Sequence, residues 1–267
     1  MFNLFAPRAV PLRTLEKREI DGNQATGLLK IIALVFMFCD HAGKMLLPQV
    51  QEMRIIGRLA FPIYCWCLVV GFHYTRNVWI YLLRLLLVGV ISQPLYVIAL
   101  DHAWTDPNIM LSLAVALCGL IAIREKWMYS HIWGPVLALA AAVLLNCNYG
   151  WMGVMLVFLL YAAQEKRLGI AGVMLAFCLY WGWGPSPSRT ITSVFGVKLS
   201  PQAMGAPWST LLTPWLKQQT LAVLATPWLI IRMPKRLRIP TWVGYALYPG
   251  HLALLWWLEE ILPGIVH

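Results

Sequence analysis

The sequence predicts an all-α integral membrane protein: a polytopic bundle of about nine transmembrane helices, N-terminus in the cytoplasm and C-terminus outside. Three observations carry this. Hydrophobic residues make up 60% of the 267 and charged residues only 12%, whereas soluble domains run near ~45–50% apolar and ~25% charged. Too few charges remain to cover a water-facing surface, which excludes a soluble enzyme, a disordered chain and a collagen-like repeat. The apolar residues come in a series of runs, and the basic residues cluster between them.

The runs fall at about 28–47, 59–73, 78–100, 109–123, 132–145, 151–163, 168–183, 213–231 and 241–262. A span takes about 20 residues, or ~17 at the short end, and 28–47, 78–100 and 241–262 meet this easily. The short runs 132–145 and 151–163 flank Asn146-Cys147-Asn148-Tyr149-Gly150, a tight-turn sequence. They read as an antiparallel pair, with a re-entrant hairpin as the alternative. Lys217, Gln218 and Gln219 interrupt the 213–231 run. Residues 1–27 mix both signs of charge with no apolar signal-peptide core and read as a cytoplasmic tail, with Met1–Phe5 able to lie on the membrane surface. The transmembrane domain is then 28–262, one unit, with an outward loop at 184–212 rich in Pro, Gly and Ser; loops of such length are usually functional or mobile.

Nine spans with the N-terminus inside place fourteen of the 21 basic residues in inner segments and six in outer ones, with Lys30 inside the first span. This asymmetry is the positive-inside pattern. It also explains the net charge of +10 without a nucleic-acid partner. The six cysteines lie almost all within apolar runs and read as buried thiols. Cys65 and Cys67 point about 200° apart on a helix, and no metal-ligand spacing is visible.

Ionisable groups within a span are costly and mark function by default. Asp40 and His41 fall near the middle of the first run. Lys30 lies eleven residues earlier, about 16 Å and nearly three turns of helix, so Lys30 and His41 share a face. An imidazole is the side chain best suited to move a proton near neutral pH. Plainer readings stand beside this one: Asp40 paired with Lys44 at i,i+4, and His41 as a satisfied core histidine. Arg58 opens the second run and is carried back by the short loop 48–56 towards Asp40, its natural partner; alternatively it snorkels to the interface. In the last run Tyr248 and His251 are i,i+3 and face one way, beside Pro249 and Gly250, which loosen the helix. His73, His102, His131 and His267 lie at span ends, in a loop or at the terminus and carry weaker signals.

These residues resemble the TraX family of conjugative-plasmid membrane proteins. The likeness runs in order through Leu29-Lys30 to Asp40-His41, Gly57-Arg58-Leu59-Ala60-Phe61-Pro62, Pro107-Asn108-Ile109, Asn148-Tyr149-Gly150 with Gly153, and Tyr248-Pro249-Gly250-His251-Leu252. The Lys30-to-His41 interval is similar to the basic-x10-His signature of transmembrane acyltransferases. What the resemblance implies is a multi-pass protein of the bacterial inner membrane that moves an acetyl group from cytosolic acetyl-CoA to an amine, the N-terminus of a pilin subunit, or to another envelope acceptor. His41 is then the general base, with Asp40 orienting or charging it. Arg58 stabilises the oxyanion or holds Asp40, and His251 and Tyr248 donate hydrogen bonds. Lys30, Arg76 and Arg84 attract the CoA phosphates, and no metal takes part. Two other expectations compete: a proton-coupled transporter using the same groups as a relay, and a non-catalytic pilus-assembly membrane protein.

Overall fold

A computed structural model of the chain describes residues 19–183, 190–191, 193–194, 197–198, 205–234 and 240–261. Most of the expected tail, the inner loop 235–239 and part of the outward loop lie outside the described residues. The helices are α1 (Thr26–Met45), α2 (Gln51–Gly57), α3 (Ala60–Tyr74), α4 (Val78–Leu100), α5 (Ile109–Glu125), α6 (Ser130–Leu144), α7 (Gly150–Ala163), α8 (Arg167–Trp183), α9 (Trp208–Leu212), α10 (Thr226–Ile230) and α11 (Thr241–Ile261). The protein is an all-α membrane protein. Among the described residues, four stretches are long and apolar enough to cross a bilayer: Thr26–Met45, Gln51–Tyr74, Val78–Leu100 and Trp127–Leu144.

The helix α3 is the axis of the packing. Ile63, Cys65, Trp66, Val69 and Phe72 are all buried, so nearly every face of the helix meets protein. A helix apolar all round belongs at such a position. By contrast α4 leaves Trp79, Leu83, Leu87, Val90, Ile91 and Ile98 exposed. Their three- and four-residue spacing draws a stripe along one side, an apolar surface that only lipid can cover favourably. The last helix α11 packs on α4 and α1, which returns residue 251 to the neighbourhood of residue 41.

Eight of the nine apolar runs are continuous helices among the described residues. The run 213–231 is not. It breaks into 3-10 turns at Thr213–Leu216 and Thr220–Ala225, followed by α10. Pro214 and Pro227 each withhold an N–H from a continuous ladder. The Thr220 hydroxyl donates to the Pro214 carbonyl at 2.7 Å. Gly182 of α8 lets Thr220 approach so closely that an added Cβ would collide with it. The expected loop 48–56 is mostly the helix α2, and the outward loop carries a two-residue hairpin, Ser193–Val194 with Val197–Lys198.

Residues 19–25 are packed. Ile20 and Asn23 are buried, the Trp66 indole donates to the Asn23 carbonyl at 2.7 Å, and the Asn23 amide donates to the Trp228 carbonyl. Asp21 bridges Arg167 and Arg232 at 3.1 and 2.9 Å, and Arg124 lies 4.5 Å over the Phe72 ring. At the opposite end Lys44 meets Leu100 and His102, and Asn146 donates to Asp106. Segment ends that the charge pattern assigns to one side thus gather at one end of the bundle.

Candidate functional site

The first helix carries one continuous face along two cavities. Gly27, Lys30, Ile31 and Leu34 line a cavity of about 430 Å³. Met37, His41 and Lys44 follow at the same spacing and line a second, of about 240 Å³. Lys30 and His41 do share a face, and each looks into a different chamber. Tyr64 of α3 and Tyr248 of α11 line both cavities, so the chambers adjoin at these two rings.

The outer chamber collects the separated sequence blocks. Asp40 and His41, then Gly57, Arg58, Ala60 and Phe61, then Ile109, then Asn148 and Tyr149, then Tyr248 all line it. Each is held there by local structure. Gly57 sits so close to Asp40 that a Cβ at 57 would fall 2.2 Å from the Asp40 Cβ, so only glycine lets α2 dock on α1. Asn108 caps α5 through Met110 and Leu111 while its amide donates to the Gly89 carbonyl of α4 at 2.7 Å. The backbone of Tyr149 turns at φ 65°, which lays its ring on Phe61 at 4.0 Å between centroids. Asn148 reaches the Tyr96 hydroxyl at 3.3 Å.

Asp40 is engaged on both oxygens. Arg58 Nη2 donates to Oδ1 at 2.6 Å and Arg54 Nη1 to Oδ2 at 3.0 Å. Arg54 also donates to the Asp40 carbonyl at 3.1 Å. The side chains of Asp40 and Arg58 are each 14% exposed, so these are charge-assisted bonds in a largely dry setting. Arg58 therefore holds Asp40. Asp40 spends its carboxylate on two arginines, and its neighbour His41 is oriented by another group.

That group is His251. His41 Nδ1 lies 3.0 Å from His251 Nε2, and the rings are nearly parallel, 14° apart. His251 Nδ1 lies 3.2 Å from the Leu247 carbonyl. A carbonyl only accepts, so His251 carries its proton on Nδ1. A neutral His251 then offers its Nε2 lone pair, which His41 Nδ1–H fills. This assigns His41 the tautomer whose Nε2 is bare, the form a proton acceptor needs. The Tyr248 ring packs edge-on against His251 at 5.5 Å.

The rim of the chamber adds a residue whose position in the sequence gave only a weak signal. His102 stacks on Tyr96 at 4.6 Å, faces Asp106 at 3.6 Å and approaches Lys44 at 3.4 Å. Burial, then the Lys44 charge, hold its pKa below the usual histidine value, so it stands neutral at pH 7. Arg54 precedes Arg58 by one helical turn, and that i,i+4 spacing was a readable signal. Of the residues expected to attract phosphates, Lys30 lines the inner chamber, whereas Arg76 and Arg84 line neither. Both are exposed.

A bundle of apolar helices around a polar chamber, with a histidine pair and a carboxylate fixed by two arginines, defines a membrane protein with a buried ionisable site. Residues 25–259 match the family model described as TraX protein, and the chain belongs to the TraX family. Over 167 residues it is 32% identical to the "probable fimbrial assembly protein FimC, serogroup H1" of Dichelobacter nodosus, covering 57% of this chain and 68% of that protein. It is 31% identical over 165 residues to the protein TraX of Escherichia coli strain K12, covering 56% and 62%. No solved structure matches.

Proposed function

We propose that the chain is a multi-pass acetyltransferase of the bacterial inner membrane, serving pilus biogenesis, that carries an acetyl group from cytosolic acetyl-CoA to an amine of an envelope acceptor, a pilin N-terminus foremost. The observation that supports this most directly is the hydrogen-bond order Leu247–His251–His41, which leaves His41 Nε2 bare within a donor-rich chamber. The acceptor amine gives its proton to that nitrogen as its own nitrogen attacks the thioester carbonyl carbon. The new C–N bond forms, the tetrahedral oxyanion collapses, and the C–S bond breaks. The proton then leaves on the CoA thiol. His251 Nε2 accepts from the imidazolium throughout, and Tyr64 and Tyr248, which line both chambers, would supply hydroxyls to the oxyanion.

The inner chamber, with Lys30 on its wall, would take the acyl arm of CoA; Arg76 and Arg84 contribute only general positive charge on that face. The family membership and the fimbrial name of the Dichelobacter relative support the pilus context. The test is CoA release by the purified chain in lipid nanodiscs, given acetyl-CoA and a peptide with a free pilin-type N-terminus. We expect His41→Ala to lower the rate by roughly 10²–10⁴-fold, the range for loss of a general base. Release undiminished in His41→Ala removes His41 as the base, and no release with any amine ends the transferase reading. That same fimbrial-assembly name favours a second reading, a non-catalytic assembly factor, in which Asp40→Asn and His41→Ala leave pilus assembly intact.

A further inference from the structure

The bundle has a long side and a short side. The helices α1, α4 and α11 pack on one another and hold 20, 23 and 21 residues. At ~1.5 Å per residue these reach about 30, 35 and 32 Å, enough for a hydrocarbon core of ~30 Å. Across α5, the adjoining α6 and α7 hold 15 and 14 residues, about 22 and 21 Å. The stretch Trp127–Leu144 reaches 18 residues only by counting the 3-10 turn Trp127–Tyr129, where Met128 at φ 41° breaks the helical rise. A helix that is too long tilts to fit, whereas tilting a short one only reduces its reach, so the bilayer must thin to meet it.

The short helices nonetheless run from one end of the bundle to the other. At the inner end the Asp21 N–H donates to the Gln164 carbonyl beyond α7 at 3.0 Å, level with the segment that leads into α1. The shortfall therefore lies at the outer end. There the Asn148 N–H donates to Ser112 Oγ at 2.9 Å, in the first turn of α5, and the Asn148 amide reaches Tyr96, a turn before α4 ends. Tyr149 shares the outer chamber with Asp40, more than a turn before α1 ends at Met45. Up to the edge of this sunken turn the surface is apolar: Ile132, Val136, Leu137, Val143, Leu144 and Leu145 are exposed, Leu144 by 84%. The amides of Asn146 and Asn148 follow at once. Apolar surface of this extent calls for lipid, and amides resist burial in hydrocarbon.

From this we infer that the α6–α7 edge is a lipid-binding surface for a thinned bilayer, with short-tailed phospholipid as its partner. The outer leaflet dips there by roughly 5–9 Å, between one helical turn and the whole shortfall. The dip brings the outer headgroups down to the depth of Asn148 and Tyr149, residues that line the outer chamber. The inference stands independently of acetyl transfer, because it follows from helix lengths and the level of their ends.

The test places the full, unmutated chain in nanodiscs of four fluid phosphatidylcholines that differ only in tail length: dipalmitoleoyl, dioleoyl, dieicosenoyl and dierucoyl. We expect the unfolding midpoint to be highest in the shortest and to fall along the series, ending at least about 3 °C lower in the dierucoyl disc. A midpoint indifferent to tail length, the result if a second copy of the chain covers α6, overturns the inference. So does a midpoint highest in the longer tails. A second measurement locates the dip. In dioleoyl discs and a Cys118→Ser background, Leu145→Cys should react with a membrane-impermeant maleimide, and Leu137→Cys, two turns deeper on α6, should not. Both positions are exposed on the protein, so the contrast reports the depth of the lipid surface. Equal reactivity at the two positions, whether both react or neither does, overturns the placement of the dip at the outer end. The lipid series needs no substitution, so a misfolded variant does not protect the claim.

Discussion

At the scale of single residues, the decisive groups are those whose partners differ from what adjacency suggests. Asp40 and His41 are neighbours in the chain, yet one is fixed by α2 and the other by α11. Replacing Asp40 with Asn removes the carboxylate that Arg58 and Arg54 share, a loss we expect to cost about 3–5 kcal/mol. The measurement is the unfolding midpoint in detergent against wild type. Gly57→Ala should be nearly as harmful for a steric reason, because its methyl would sit within 2.2 Å of the Asp40 Cβ; unchanged expression and midpoint would contradict the close approach. His251→Ala releases the tautomer lock and should slow CoA release by at least about tenfold, while His251→Gln, which keeps an acceptor for His41 Nδ1–H, should recover part of it. The sequence made Asp40, His41, Arg58 and His251 visible because each is an ionisable group in an apolar run. It hid the pairing of the two histidines, since 210 positions separate them and only tertiary packing of α11 on α1 brings them together.

Among elements, the outer turns do more than connect. The α4–α5 connection holds His102, whose pKa is depressed first by burial and then by the Lys44 charge. A depressed value means that the unfolded chain takes up a proton before the folded one does. The contribution of His102 is therefore full above the unfolded value near ~6.5 and fades as pH falls towards the lowered folded value. Wild type should lose stability between pH 7 and 5 relative to His102→Asn, read as convergence of their unfolding midpoints. Asn108 joins α5 to α4 from a fully buried position, and Asn108→Ala should cost about 1–3 kcal/mol by orphaning the groups it satisfies. Period and length made eight of the helices readable. The break at 213–231 was foreshadowed by Lys217, Gln218 and Gln219, but its cause, proline spacing combined with the Thr220 contact at Gly182, depends on α8 and is invisible along the chain. The helix α2 escaped notice because seven residues are too few for a periodic signal.

For the whole molecule, the two groups of segment ends and the two chambers imply one orientation test. With the N-terminus inside, a cysteine placed at Lys30 should react with a membrane-impermeant maleimide only from the cytoplasmic side, and one at His102 only from the outside, in a background where exposed Cys118 is replaced by Ser. Labelling of both from one side would overturn the arrangement. The single face of α1 has a further consequence. Because Lys30 and His41 ride on one rigid helix, the interval between them cannot adjust to its cargo, and the helix behaves as a ruler. A thioester trimmed of its nucleotide could still present its carbonyl to His41 but would lose the anchor at the ruler's other mark. On the proposed chemistry, truncated donors should fail through weak capture at low concentration and recover when supplied in excess.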